Sequence, residues 1–108
     1  MADKLRPGVT FGELLRTVED FIASRGYKAL AVPLHGRGLG EDLPVIRVLD
    51  TSSDIMRTEV QEGQVFVLGP RVGLPDGSKI LAWGDTVVVT HDGMRRLGKL
   101  GTAPLIAA

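Results

Sequence analysis

The segment from residue 10 to residue 26, TFGELLRTVEDFIASRG, decides the first element of the fold. Thr10 and Glu13 form the S/T-x-x-E capping box, in which each side chain accepts a hydrogen bond from the backbone N–H of the other residue. Apolar residues recur behind the cap at helical spacing, namely Phe11, Leu14, Leu15, Val18, Phe21 and Ile22. This stripe indicates a helix with one buried face, and Gly26 is typical of a left-handed C-cap. We therefore predict a helix over residues 10–25.

Beyond this helix, the chain is predicted to consist of short strands and turns. Val65–Leu68 is a continuous apolar run, which is typical of a strand covered on both faces. Residues 34–44 hold three glycines within five positions, so we expect an irregular loop there, and the polar residues 50–62 predict a loop with a helical turn. The strands are predicted at Lys28–Val32, Val45–Leu49, Val65–Leu68, Ile80–Trp83, Thr86–Thr90 and Met94–Leu97. These elements predict one α+β domain over residues 1–108, with a loosely ordered tail at 103–108.

The composition excludes several classes of function. The 108 residues include 13 basic and 13 acidic side chains, and this neutral balance argues against nucleic acid or an anionic membrane as the main partner. The absence of cysteine excludes a disulfide framework, a thiol nucleophile and a cysteine-ligated zinc site. No apolar run approaches the roughly 18 residues that cross a bilayer, and the N-terminus lacks the apolar core of a signal peptide. We expect a cytoplasmic protein.

Few residues are candidates for chemistry. The glycines of Gly36–Gly40 have the spacing G-x-G-x-G rather than the dinucleotide-binding G-x-G-x-x-G, and two acidic residues follow them, so a phosphate loop is disfavoured. His91 lies in a predicted turn and is interpreted as a solvated residue. His35 follows a predicted strand end, where active-site residues are common, but a structural histidine bonded to a backbone carbonyl explains its position equally well.

Several short motifs follow one another along the chain. They are Leu5–Leu14 (LRPGVTFGEL), His35–Leu39 (HGRGL), Pro44, Glu62–Phe66 (EGQVF), Gly69–Pro70 and Trp83–Gly93 (WGDTVVVTHDG). Taken together, these motifs resemble the C-terminal half of the pita-bread metallopeptidases, which include methionine aminopeptidases, Xaa-Pro aminopeptidases, prolidases and creatinases. The similarity covers about residues 5–98. It implies half of a pita-bread fold, with one long N-terminal helix packed on a curved, mainly antiparallel sheet.

The resemblance also implies what this chain has lost. The family binds two divalent metals, such as Mn, Co or Zn, through two aspartates of its N-terminal half, one histidine and two glutamates. The histidine corresponds to His35, whereas the two glutamates correspond to Gly69 and Gly84. A second family histidine, which contacts substrate, corresponds to Asp42. One imidazole does not hold a two-metal centre, so we expect no metal, no other cofactor and no catalytic residue.

Three functions follow from the resemblance. The leading one is a non-catalytic relative that acts as a binding or assembly module, and we expect a homodimer in which a true twofold replaces the pseudo-twofold of the family. The second is a fragment or subunit of an aminopeptidase or Xaa-Pro dipeptidase that a separate N-terminal half completes. The third is peptide or amino-acid binding without hydrolysis, with His35, Arg37 and Asp42 as candidate cleft residues and the Arg37 guanidinium in place of a lost cation.

Overall fold

In the part of the chain that the structure describes, there are one α-helix, two antiparallel sheets and two short 3₁₀ helices. The computed structural model describes residues 1–48, 54–101, 103 and 105–107. The helix is α1 (Phe11–Ser24), and the 3₁₀ helices span Ala2–Lys4 and Asp54–Arg57. The strands are β1 (Lys28–Leu30), β2 (Leu34–Arg37), β3 (Glu41–Ile46), β4 (Val65–Leu68), β5 (Arg71–Gly73), β6 (Ile80–Ala82), β7 (Asp85–Val89) and β8 (Met94–Arg96). Five strands form a sheet in the order β3-β2-β4-β7-β8, and three form a smaller sheet in the order β1-β5-β6.

Helix α1 confirms the predicted capping box. The Glu13 carboxylate accepts a hydrogen bond from the Thr10 backbone N–H at 2.8 Å, and the Thr10 hydroxyl oxygen accepts one from the Glu13 N–H at 3.2 Å. The hydrogen bonds from Thr10, first from its backbone N–H and then from its hydroxyl, hold the pKa of Glu13 below its ordinary value. At the other end, Gly26 has a φ of +80°, the left-handed conformation that the sequence predicted.

The core lies between α1 and one face of the five-stranded sheet. Along β4 the side chains alternate, so that Phe66 and Leu68 are buried while Val65 and Val67 are half-buried. The Phe11 ring of α1 meets the Phe66 ring edge-on, with 5.6 Å between the ring centroids. The prediction that β4 is covered on both faces was therefore wrong, because α1 covers only one of them.

The glycine-rich segment is regular, contrary to the prediction of a loop over residues 34–44. It forms the β2–β3 hairpin, in which Gly36 pairs with Asp42 and a bulge separates His35 from Gly36. At Gly36 the two strands approach so closely that a Cβ atom would lie 2.8 Å from the Asp42 carbonyl oxygen and would also overlap the Leu43 carbonyl oxygen. Glycine here permits strand pairing instead of preventing it. The glycines are followed by strand β3 and not by a helix, and a phosphate loop needs a helix at this point. This agrees with the prediction that the segment is not a phosphate loop.

The smaller sheet differs from the prediction in two places. Strand β1 ends at Leu30 rather than at residue 32, because Ala31 takes a left-handed conformation with a φ of +58°. Strand β5 was not predicted at all; its three residues are too few to show a period. Among the described residues of the predicted tail, 103 and 105–107, none lies in a helix or strand. The predictions that fall on residues 49–53, 102, 104 and 108 lie outside the described part of the chain.

Candidate functional site

The second face of the five-stranded sheet forms an open cleft. Strand register places Val45, His35, Val67 and Thr86 side by side across β3, β2, β4 and β7. All four are half-buried. They line or adjoin a cleft of about 560 Å³ that extends to the segments following β3, β4 and β6. The cleft contains the one residue that the sequence comparison singled out as a metal ligand.

His35 points into this cleft from β2. Its Nδ1 lies 2.9 Å from the carbonyl oxygen of Gly36. Because a carbonyl oxygen only accepts hydrogen bonds, Nδ1 is the donor and carries a proton, which leaves Nε2 of the neutral ring as the acceptor nitrogen. His35 is therefore bonded to a backbone carbonyl, as the structural interpretation predicted, and it also lines a cleft.

Gly69 and Gly84 line the same cleft as His35. Neither has a left-handed backbone, so neither position requires glycine for its conformation. A Cβ atom at Gly69 would lie 3.8 Å from the Val32 carbonyl oxygen, and one at Gly84 would lie 3.7 Å from the Leu68 carbonyl oxygen. These are ordinary contact distances, so a side chain at either position has room to point into the cleft.

The structure does not bring all the predicted cleft residues together. Arg37 and Asp42 are exposed on the β2–β3 hairpin and do not line the cleft around His35. A Cβ atom at Gly38 would collide with the Asp42 carboxylate, which places this carboxylate over the turn of the hairpin. Arg37 is therefore not positioned to replace a lost cation beside His35.

Two other arginines line the cleft instead. Arg47 follows β3 and Arg71 begins β5, and both contribute to the wall of the cleft. The sequence contained a signal for Arg47, because it lies two residues after Val45 in the predicted strand 45–49 and side chains at that spacing share a face. That signal was missed because Arg47 belongs to no motif. Arg71 had no such signal, because it begins a strand that was not predicted.

No acidic side chain in the described part of the chain lines the cleft. Asp85 directly follows Gly84 but is on the opposite face of β7, paired with Leu68 in the register. Its buried carboxylate accepts a hydrogen bond from the Arg96 guanidinium. Among the described residues, no group of three His, Asp or Glu side chains could hold a metal ion. One imidazole beside two guanidinium groups does not fit the donor set of a two-metal centre, which needs several oxygen ligands.

Comparison with known proteins shows which family has this architecture. The family model of the M24 metallopeptidases matches residues 1–91. The chain belongs to metallopeptidase family M24. Among solved structures, a prolidase from Pyrococcus furiosus is 28% identical and superposes with a TM-score of 0.76 over 93% of this chain and 28% of its own. A methionine aminopeptidase from Rickettsia prowazekii is 19% identical, with a TM-score of 0.74 over 88% of this chain and 45% of its own. No curated protein matches the sequence at a significant level.

These matches confirm the resemblance and the fold that it implied. A methionine aminopeptidase from Thermotoga maritima is 20% identical, with a TM-score of 0.73 over 89% of this chain and 45% of its own. The M24 chain thus spans less than half the length of these relatives. Its described residues form one α-helix and antiparallel sheets, as predicted for half of a pita-bread fold.

Two further observations concern the rest of the M24 chain. His91 is exposed in the turn after β7, with its Nε2 atom 3.7 Å from the Asp92 carboxylate, which confirms that it is a solvated turn residue.

Within the described ranges, no helix has the length and apolar character needed to cross a membrane.

Proposed function

We propose that this M24 chain is a non-catalytic member of its family that acts as an assembly module by pairing with a second copy of itself. The observation that carries this proposal is the identity of the residues around His35. The resemblance assigns metal-binding glutamates to positions 69 and 84, and both positions are glycines that line the cleft and have room for a Cβ atom. Glycine has no side-chain oxygen, so positions 69 and 84 supply none of the carboxylates that bridge two metals.

The room for a Cβ atom at positions 69 and 84 indicates that the fold itself does not require glycine there. If the fold required glycine at these positions, the backbone would be left-handed or a Cβ atom would clash, as it does at Gly36. Neither condition holds at Gly69 or Gly84. The substitution of both glutamates by glycine is therefore consistent with relaxed selection on a metal site. The fold persists because its core lies on the other face of the sheet.

A groove on the outer surface supports self-association. It has a volume of about 560 Å³ and lies between the end of α1 and the three-stranded sheet. Large apolar side chains line it while remaining exposed, with Phe21 at 61%, Ile80 at 65% and Leu81 at 70% of their full exposure. A contiguous apolar patch of this kind marks an interaction surface. Because the chain has no net charge, two copies do not repel one another, and a twofold contact buries the same patch on both.

Metal binding tests the loss of the two-metal centre. Isothermal titration of the purified chain with Mn²⁺, Co²⁺ and Zn²⁺ is expected to show no stoichiometric binding. The variant Gly69→Glu/Gly84→Glu restores two carboxylates beside His35 and is expected to gain affinity for these ions. The same double variant carrying His35→Ala is the matched control, and it is expected to lose part of the gain.

Peptidase assays test the alternative function, a subunit of a peptidase. This alternative is favoured because the chain spans only 28% to 45% of the length of these relatives. Aminopeptidase and Xaa-Pro dipeptide assays are run with each metal. Stoichiometric metal in the unmodified chain, or turnover that a chelator abolishes, would overturn the non-catalytic assignment.

Self-association is tested by light scattering coupled to size exclusion. We expect a dimer, and we expect Leu81→Glu to convert it to a monomer because a charge would be buried at the contact. Leu39→Glu is the matched control, because Leu39 is even more exposed than Leu81 but lies on the β2–β3 hairpin and does not line the groove. A chain that remains monomeric at high concentration contradicts the proposal, as does a dimer that Leu81→Glu leaves intact.

A further inference from the structure

Arg47 and Arg71 give the cleft around His35 two positively charged side chains. Both line it, and neither makes an ion pair or a side-chain hydrogen bond with any described residue. Among the described residues, no acidic side chain lines the cleft with them. Two guanidinium groups in one cleft raise the local concentration of anions.

The fold brings these two arginines together through the junction between the sheets. Arg71 pairs with Leu30 at the end of β1. The N–H of Val48, the residue after Arg47, donates to the Ala31 carbonyl oxygen at 3.0 Å. Arg71 and Val48, the residue after Arg47, are thus held by adjacent residues of the segment that turns at Ala31, where the φ of +58° is unusual for a residue other than glycine. The backbone therefore brings both arginines to the same cleft.

Apolar side chains form much of the remaining wall of the cleft. Val45, Val67 and Trp83 line it together with His35 and the arginines. We propose that this cleft binds a small organic oxyanion, a carboxylate or a phosphate monoester, whose charged group meets Arg47 and Arg71 and whose apolar part contacts Trp83. A guanidinium presents paired N–H donors that match two oxygens of such a group, and the face of an indole ring accepts an apolar or aromatic substituent. Cationic side chains would then serve where the family's resemblance places metal ions.

The tryptophan makes this proposal directly measurable. Trp83 is the only tryptophan of the chain, so all tryptophan emission comes from a residue that lines the cleft. The probes are phenyl phosphate and phenylacetate, with phenylacetamide as the uncharged counterpart. We expect both anions to change the Trp83 emission in a saturable manner and the amide to bind at least about tenfold more weakly, because it lacks the charge that the guanidinium groups recognise. The ratio of the two anion affinities distinguishes a phosphate ligand from a carboxylate ligand.

Substitutions of Arg47 and Arg71 test whether these two side chains bind the anion. Arg47→Ala and Arg71→Ala are each expected to raise the Kd of the tighter anion by about tenfold or more, whereas the corresponding Lys variants retain part of the affinity. Arg37→Ala is the matched control, because Arg37 is exposed on the hairpin outside the cleft, and it is expected to leave the Kd within about twofold.

Three results would each contradict the proposed anion site. These are the absence of binding by either anion up to about 10 mM, in the weakest affinity range, equal binding of the amide, or unchanged affinity in Arg47→Ala/Arg71→Ala. This inference does not depend on the proposed self-association or on the absence of metal. Anion binding by a monomer supports the site while contradicting the dimer, and a dimer that binds no anion does the reverse.

Discussion

The two faces of the five-stranded sheet differ in what holds their residues in place. On the face toward α1, Leu34, Phe66 and Val87 are almost completely buried, each with 1% of its surface exposed. On the cleft face, the adjacent residues His35 and Val67 are only half-buried. Every core residue contributes to the free energy of folding through the apolar surface it removes from water, whereas the cleft residues contribute little. This difference explains how the chain keeps the M24 fold while glycines stand at positions 69 and 84.

The largest expected effect compares neighbouring residues of β4 on opposite faces. Phe66→Ala removes a buried ring that packs on Phe11 and is expected to lower the free energy of unfolding by about 3–5 kcal/mol. Val67→Ala removes a half-buried side chain and is expected to cost less than about 1 kcal/mol. Urea unfolding measures both values. If Phe66→Ala does not fold, Phe66→Leu is expected to lie between them, and equal costs at positions 66 and 67 would show that the cleft face is covered after all.

A second comparison concerns glycines of the two faces. Gly36→Ala would place a methyl group against the Asp42 and Leu43 carbonyl oxygens and is expected to destabilise the chain by about 1–3 kcal/mol. Gly69→Ala and Gly84→Ala have room for the methyl group and are expected to be neutral or to stabilise the chain by up to about 1 kcal/mol. Thermal and urea unfolding measure the three variants together. A loss at Gly69 or Gly84 as large as that at Gly36 would show that the cleft glycines are structural.

The smallest expected effect concerns the capping box that begins the core-facing helix. Thr10→Ala is expected to cost about 1 kcal/mol at neutral pH, because the Glu13 N–H loses its partner. The pKa of Glu13 is lower in the folded chain than in the unfolded chain, where it is about 4.3. The ionised box therefore stabilises the fold above that pH, and the contribution disappears as the pH falls through the folded pKa.

Urea unfolding at several pH values tests this sign. The stability difference between the unmodified chain and Glu13→Gln is expected to be present at neutral pH and to shrink on acidification. Glu62→Gln, at an exposed carboxylate outside the helix, is the control. A difference at position 13 that grows toward low pH would contradict the assigned hydrogen bonds.

The elements that were predictable from sequence are those whose signals are local. The capping box, the helix and its Gly26 cap depend on residues within one or two turns of one another, and the structure has all three. The glycine segment was predicted wrongly because glycine ordinarily weakens a strand. At Gly36 the deciding fact is the approach of the Asp42 and Leu43 backbone, which a propensity does not contain.

The sequence by itself determined the family of this chain, its helix, and the presence of glycine where the resemblance assigns two metal-binding carboxylates. These properties are carried by residue identity and by spacing along the chain. Only the tertiary structure decided which side chains share the cleft. It places Arg47 and Arg71 beside His35 and leaves Arg37 and Asp42 on the hairpin outside. The physical reason is that a cleft is formed by strands far apart in sequence, and their register and the turn at Ala31 bring residues together that no local pattern connects.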